Sequence, residues 1–173
     1  MPRPLRDVPP RELLAALPAA LDGTGPAVRV GGDGPPTSVP DQVALVVRTS
    51  GSTGSPRHVG LTAQALTASA TATARRLHGP GRWLLALPTD HVAGVQVLIR
   101  SVLAGTRPVT MAAGPFRAPD FAVAARSLDG PGPRYTSLVP TQLLRLLDDA
   151  DATDALCGFD AVLVGGAALT PAL

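Results

Sequence analysis

A chain of 173 residues is long enough to bury one substantial core, and 45% hydrophobic against 16% charged residues favours a folded globule over a disordered segment. Its 15 basic side chains are all arginine, scattered against 13 acids for a net charge of +2, and aromatics are only 3%, so a nucleic-acid binder with a basic, stacking surface is argued against. Without a lysine these residues can carry no lysine-dependent step, and the single Cys157 excludes an internal disulfide and a Cys-rich metal site. Cys157 is expected to be a small buried apolar residue.

In chain order, residues 11–22 read as a short amphipathic helix. Arg3, Arg6 and Arg11 ahead of the apolar Leu13–Leu21 have the order of an export signal, but Asp7, Glu12 and Pro18 break it. No stretch approaches the length of a membrane span, and a cytoplasmic location is expected. A Gly/Pro-rich stretch to Pro40 reads as extended, so residues 1–40 form a lead-in and 41–173 the main domain. Val43-Ala44-Leu45-Val46-Val47 is a buried strand, and Arg57-His58-Val59-Gly60-Leu61 is read as a second. Between them runs Thr49-Ser50-Gly51-Ser52-Thr53-Gly54-Ser55-Pro56.

Thr62 is a good N-cap for an Ala-rich helix to about His78, with Arg75 and Arg76 in its last turn and Gly79-Pro80-Gly81 as its stop. Trp83–Leu87 is a strand ended by Pro88, Val92–Leu103 a helix, and Thr106–Met111 a strand. Pro119 opens a helix with Phe121, Ala125 and Leu128 on one face; Tyr135–Val139 is a strand; Pro140-Thr141 starts a helix carrying Leu143, Leu144, Leu146 and Leu147. Ala161–Val164 is a last strand running into Gly165-Gly166-Ala167. Buried strands alternating with helices predict an α/β layered fold with a largely parallel sheet and flanking helices. Ligands in such folds bind where strands end at their carboxyl edge.

The loop of residues 49–57 carries the chemistry. Glycines let backbone N–H groups turn toward one centre, hydroxyls add donors, and Arg57 adds countercharge, which suits a polyanion such as a phosphate chain. A flexible linker uses the same residues but rarely lies between two apolar strands. The spacing G-x-x-x-x-G-K-[ST] is absent, and G-x-S-x-G cannot be registered on Ser50 or Ser52, so neither a Walker-A loop nor a nucleophile elbow fits.

Thr49 to Gly54 resembles, position by position, the phosphate-binding loop of the adenylate-forming enzymes, which include acyl-CoA synthetases, adenylation domains of peptide synthetases and luciferases. Three further segments follow in the family's order: Leu87-Pro88-Thr89-Asp90-His91-Val92-Ala93-Gly94, Val139-Pro140-Thr141-Gln142, and Val164-Gly165-Gly166-Ala167. The wording of the second and third, with Gln96, is most similar to the o-succinylbenzoate–CoA ligase subfamily of menaquinone synthesis. The resemblance implies activation of a carboxylate by ATP as an acyl-AMP, then transfer to coenzyme A. It implies that Thr49, Ser50, Gly51, Ser52, Thr53 and Gly54 hold phosphates, with Arg57 where the family usually has Lys. It places His91 beside the carboxylate, Gly165, Gly166 and Ala167 against the adenine, and Thr141 and Gln142 as weaker pocket candidates.

The family's later parts are a Glu that helps hold Mg²⁺, an Asp for the ribose, and a small C-terminal domain with a catalytic Lys. These residues do not contain them, so the resemblance implies the N-terminal part of a longer enzyme, with any Mg²⁺ ligand supplied from outside. Two alternatives stand beside this expectation. One is the same family acting on another acyl, aryl or amino acid. The other is a nucleotide-binding fragment without catalysis of its own, completed by a partner chain or a second copy.

Overall fold

The computed structural model describes residues 1–32, 34–49 and 57–167. Its strands are β1 (Arg3–Val8), β2 (Ala27–Val30), β3 (Ser38–Val39), β4 (Val43–Thr49), β5 (Arg57–Thr62), β6 (Arg82–Leu85), β7 (Val109–Thr110), β8 (Arg134–Leu138) and β9 (Ala161–Val164). Its helices are α1 (Pro10–Asp22), α2 (Ala63–Arg76), α3 (Val92–Leu103), α4 (Ala118–Arg126), α5 (Pro140–Leu147) and α6 (Ala150–Cys157). The expected α/β class holds, but the strands form two sheets rather than one: β3-β1-β2-β4-β5 and β7-β6-β8-β9. Five of the seven strand pairs among the described residues are parallel; only β1·β3 and β4·β5 run antiparallel.

α3 joins the two sheets because it is apolar nearly all round, the pattern of a helix buried on several faces. Val95, Leu98 and Ile99 enter a core with Leu13 and Leu17 of α1, Val28 and Val30 of β2, and Leu45 and Val47 of β4. Val97 faces the other way, onto Trp83 of β6 and Tyr135 of β8. The far face of the second sheet, Leu84 and Leu138, is covered by α4, α5 and α6 through Phe121, Leu146 and Ala152. Alternate side chains of β6 and β8 thus serve two cores, as a strand's period of two requires.

The first forty residues are part of this fabric. β1 and β2 pair in parallel and extend to β4, so the lead-in supplies three strands where the sequence reading placed only a helix. The reason is two buried arginines. Arg3 reaches from β1 to the carbonyls of Ala19, Ala20, Gly25 and Val43, which caps the C-terminal end of α1 with a cation that the helix itself lacks. Arg29 of β2 is paired with Asp7 of β1 at 2.5 Å and donates to the Pro36 carbonyl. Its guanidinium holds the Asp7 carboxyl below the usual carboxylate range.

Two further expectations are corrected. β5 is not a buried strand: it lies at the end of its sheet, and Arg57, His58, Val59 and Gly60 are exposed. Cys157 is exposed as well, at the end of a helix whose inward positions are Ala152 and Ala155. α6 itself follows Asp149, whose carboxylate accepts the Ala152 N–H at 2.9 Å as an N-cap.

Tyr135 ties the layers together at the opposite end from the strand carboxyl edges. Its hydroxyl accepts the His78 N–H at 3.0 Å and donates to the Gly79 carbonyl at 3.2 Å, which fixes the exit of α2 over the second sheet. Gly81 has no room for a side chain, since a Cβ there would strike the Tyr135 ring and the Pro133 carbonyl.

Candidate active site

β4 and β5 form an antiparallel hairpin whose last pair is Thr49 opposite Arg57. The Thr49 hydroxyl donates to the Arg57 carbonyl at 3.3 Å, and both residues are exposed. Ser50, Gly51, Ser52, Thr53 and Gly54, with Ser55 and Pro56, lie outside the described residues. The structure therefore shows the two ends of the loop held against each other at a solvent-facing mouth, with a guanidinium at one side. Arg48 and His58 form the preceding cross-strand pair and bring more basic side chains to the same end of the hairpin.

The second group of residues stands at the carboxyl edge of the parallel sheet. Past β6 the chain turns at Pro88 and enters α3, with His91 as N-cap residue in an extended conformation. The imidazole makes no capping hydrogen bond and is exposed; its nearest ionic neighbour is Asp90, with Nε2 3.8 Å from Oδ1. The backbone carbonyl of His91 accepts the N–H groups of Gly94 and Val95. This leaves the first N–H groups of α3 and its positive dipole end toward the strand edge, a setting that favours an anion. The turn is tight: Gly94 is buried, and a Cβ there would collide with the Pro88 carbonyl.

Next along the edge, β8 leads through Val139 into α5. Thr141 is exposed in its first turn, whereas Gln142 is buried. Gln142 accepts the Val139 N–H through Oε1 at 3.0 Å and donates from Nε2 to the Ala86 carbonyl at 2.9 Å. Beyond β9, the Gly165 N–H donates to the Leu138 carbonyl at 3.1 Å. Gly166 has φ +87°, a left-handed conformation that suits glycine, and lies close against Val139. Gly165, Gly166 and Ala167 are exposed, so their backbone is accessible from the edge.

A cleft of about 620 Å³ opens beside this edge, lined by Leu87, Pro88, Thr89 and Asp90 and by Met111 and Phe116 past β7. Pro10, just beyond the carboxyl end of β1, lines it too, so the first sheet also sends a strand end to this side. Sequence reasoning passed over Asp90 as a neighbour of His91; a carboxylate directly before a histidine at a strand end was the available signal. It also missed α3's buried polar atoms. Among the described residues, Gln96 Oε1 and Arg100 Nε are buried with no hydrogen-bond partner. The Arg100 guanidinium lies over the Trp83 ring at 4.9 Å.

The hairpin mouth with Thr49 and Arg57 and the parallel-sheet edge bearing His91 and two glycines both stand at strand ends, where ligands bind in α/β folds. Residues 7–173 match the AMP-binding enzyme family, and the chain belongs to it. Over 155 residues, 88% of the chain, it is 50% identical to a probable 2-succinylbenzoate–CoA ligase of Mycobacterium tuberculosis. A 2-succinylbenzoate–CoA ligase of Salmonella typhimurium is 37% identical over 75% of the chain. The chain spans 39% of the length of the first relative and 26% of the second. Among solved structures, a malonyl-CoA ligase with methylmalonyl-CoA and AMP bound is 25% identical with a TM-score of 0.62, covering 93% of this chain and 40% of that one. The o-succinylbenzoate CoA synthetase of Bacillus subtilis in complex with AMP has the same fold, with a TM-score of 0.62 at 21% identity, covering 91% of this chain and 46% of that one.

Proposed function

We propose that this chain is the phosphate- and acid-binding portion of an AMP-forming acid–CoA ligase that activates 2-succinylbenzoate for menaquinone synthesis. The observation that supports it most is the 50% identity to the M. tuberculosis relative over 155 residues, 88% of the chain. In the first half-reaction a substrate carboxylate oxygen attacks the α-phosphorus of ATP and pyrophosphate leaves, giving an acyl-AMP. In the second, the coenzyme A thiol attacks the acyl carbonyl and AMP leaves.

The first step is chiefly positioning and charge neutralisation. Thr49, Ser50, Ser52 and Thr53 offer hydroxyl donors, and Gly51 and Gly54 offer backbone N–H groups to the β- and γ-phosphates. Arg57 supplies countercharge in place of a lysine; its planar fork suits phosphate oxygens. His91 and the N-terminus of α3 receive the carboxylate, and the exposed backbone of Gly165, Gly166 and Ala167 meets the adenine. Thr141 stands beside them on the rim of the acid pocket. Mg²⁺ would neutralise the triphosphate further. Its protein ligand would lie outside these residues, as the family resemblance implies. No helix among the described residues is long and apolar enough to cross a membrane, and the cytoplasm supplies both ATP and coenzyme A.

The relatives are more than twice as long as the match, which favours catalysis by a larger assembly. The remaining catalytic residues would be supplied by a longer polypeptide, a complementing chain or a second copy. The test is a chimera in which this chain replaces the matching part of the M. tuberculosis relative. ATP–pyrophosphate exchange is then measured against a panel of acids. Exchange with 2-succinylbenzoate is expected. Exchange only with another acid would transfer the reading to a different substrate within the family, and no exchange with any acid would leave at most nucleotide binding.

A further inference from the structure

We infer that Gln142 is a positioning residue, a strut that sets the spacing between the turn carrying His91 and the edge carrying Gly165 and Gly166. The main-chain ladder between β6 and β8 runs Arg82↔Arg134, Trp83↔Tyr135 and Leu84↔Thr136, and the strands then part. Two backbone groups are left facing the gap: the Ala86 carbonyl as β6 leaves the sheet, and the Val139 N–H at the head of α5. Buried main-chain groups need partners. Gln142 serves both with one side chain, accepting from Val139 at 3.0 Å and donating to Ala86 at 2.9 Å, while only 8% exposed. A neutral group with a donor at one atom and an acceptor at its neighbour is required here; a carboxylate only accepts, a cation only donates, and an aliphatic chain does neither.

Both ends of the strut lead to site residues. Ala86 is followed by Leu87 and Pro88, and the Pro88 carbonyl is packed against Gly94, so displacement of this segment is passed to the first turn of α3 and to His91. Val139 touches Gly166, and its neighbour Leu138 holds the Gly165 N–H. Gln142 therefore acts through these residues and does not itself meet the acid. The activity arm of this inference rests on the ligase reading above.

The test compares Gln142→Met and Gln142→Glu, in the chimera and in the 173-residue chain. A protonated glutamic acid reproduces both hydrogen bonds. An ionised one loses the donor and opposes a buried carbonyl, and burial raises its pKa from the ordinary value of about 4.3. In pyrophosphate exchange, Gln142→Met is expected to raise the KM for the acid about tenfold at every pH, with the KM for ATP little changed. Gln142→Glu is expected to approach wild type on the acid side and fall away as pH rises toward about 8, a profile that simple loss of packing does not produce. Exchange of the Val139 amide proton, measured in the 173-residue chain relative to wild type, is expected to be faster in the Met variant, and in the Glu variant only at higher pH. A Met variant equal to wild type, or a Glu variant whose profile parallels either wild type or Met, overturns the strut. A chimera inactive with wild-type Gln142 defeats the ligase reading instead, and the Val139 amide then decides the strut alone.

Discussion

The β4–β5 hairpin and the β6–β8–β9 edge, proposed to serve one reaction, have opposite constructions. The hairpin is antiparallel, and its second strand is an exposed edge, so it presents the Thr49 hydroxyl and the Arg57 guanidinium at the surface. The parallel edge is built on a core closed on both faces, and the turn that carries His91 leaves no spare room at Gly94. A triphosphate is long and highly charged, and it can be gripped by many donors from a loop. A carboxylate must be aimed at one phosphorus atom, and aim requires rigid support. The contrast predicts that substitutions in the hairpin change binding of nucleotide with little effect on folding, whereas substitutions at the parallel edge couple folding to recognition of the acid.

The largest expected effect breaks the hairpin side. Arg57 is exposed, so Arg57→Ala is expected to leave the melting temperature of the chain unchanged. If the proposed phosphate contact is made, the chimera is expected to lose charge-assisted hydrogen bonds, a loss of about 1.5–3 kcal/mol or roughly 10- to 150-fold in pyrophosphate exchange. Arg57→Lys is expected to keep much of the activity. Unchanged exchange in the Ala variant would remove the phosphate role from this hairpin.

The counterpart on the parallel edge is Gly94→Ala. Its added methyl group meets the Pro88 carbonyl, and the turn has to give way. Overpacking of this kind costs about 1–3 kcal/mol, which in a chain of this length lowers the melting temperature by roughly 2–4 °C per kcal/mol. Acid recognition is expected to suffer with it. A Gly94→Ala protein that melts like wild type and binds the acid normally would show that the edge is not the rigid support described.

His91→Ala sharpens the comparison further. The imidazole caps nothing and is exposed, so stability is expected to hold. The KM for the acid is expected to rise about tenfold, a loss of roughly 1.4 kcal/mol, while the KM for ATP moves little. Equal effects on both substrates would mean that His91 does not distinguish the two halves of the site.

Legibility in the sequence follows the range of the interactions involved. α3 and β9 were placed to the residue, and β4 nearly so, because apolar runs and the glycines and prolines around them are local signals. The four proposed site segments were picked out because each is a short contiguous string that resembles the family's wording. β1 and β2 were not, because Arg3 and Arg29 look like surface residues until carbonyls 16 to 40 positions away, or a carboxylate 22 positions away, accept their protons. Gln142 is a similar case: its pocket assignment came from its neighbours in the chain, while its hydrogen bond to Ala86 spans 56 positions. α6 was overlooked because its inward face is alanine, which gives little periodic contrast against the aspartates around it.

The smallest expected effect concerns how the hairpin's own sheet is held. Asp7 and Arg29 add a charged tie between β1 and β2 to the apolar packing of that sheet. The Asp7 carboxyl lies below its ordinary pKa, the Arg29 hydrogen bond being the largest cause. A carboxyl depressed in the folded state stabilises above its unfolded pKa of about 3.9, and that contribution is lost as pH falls through the lower folded value. Asp7→Asn is therefore expected to cost about 1 kcal/mol at neutral pH, a modest figure because the carboxylate is half exposed. The difference from wild type is expected to shrink below about pH 4, where wild type gives up the same charge. Urea unfolding of both proteins from neutral pH to about pH 3 measures it. A constant difference across that range would mean that Asp7 acts through shape rather than charge.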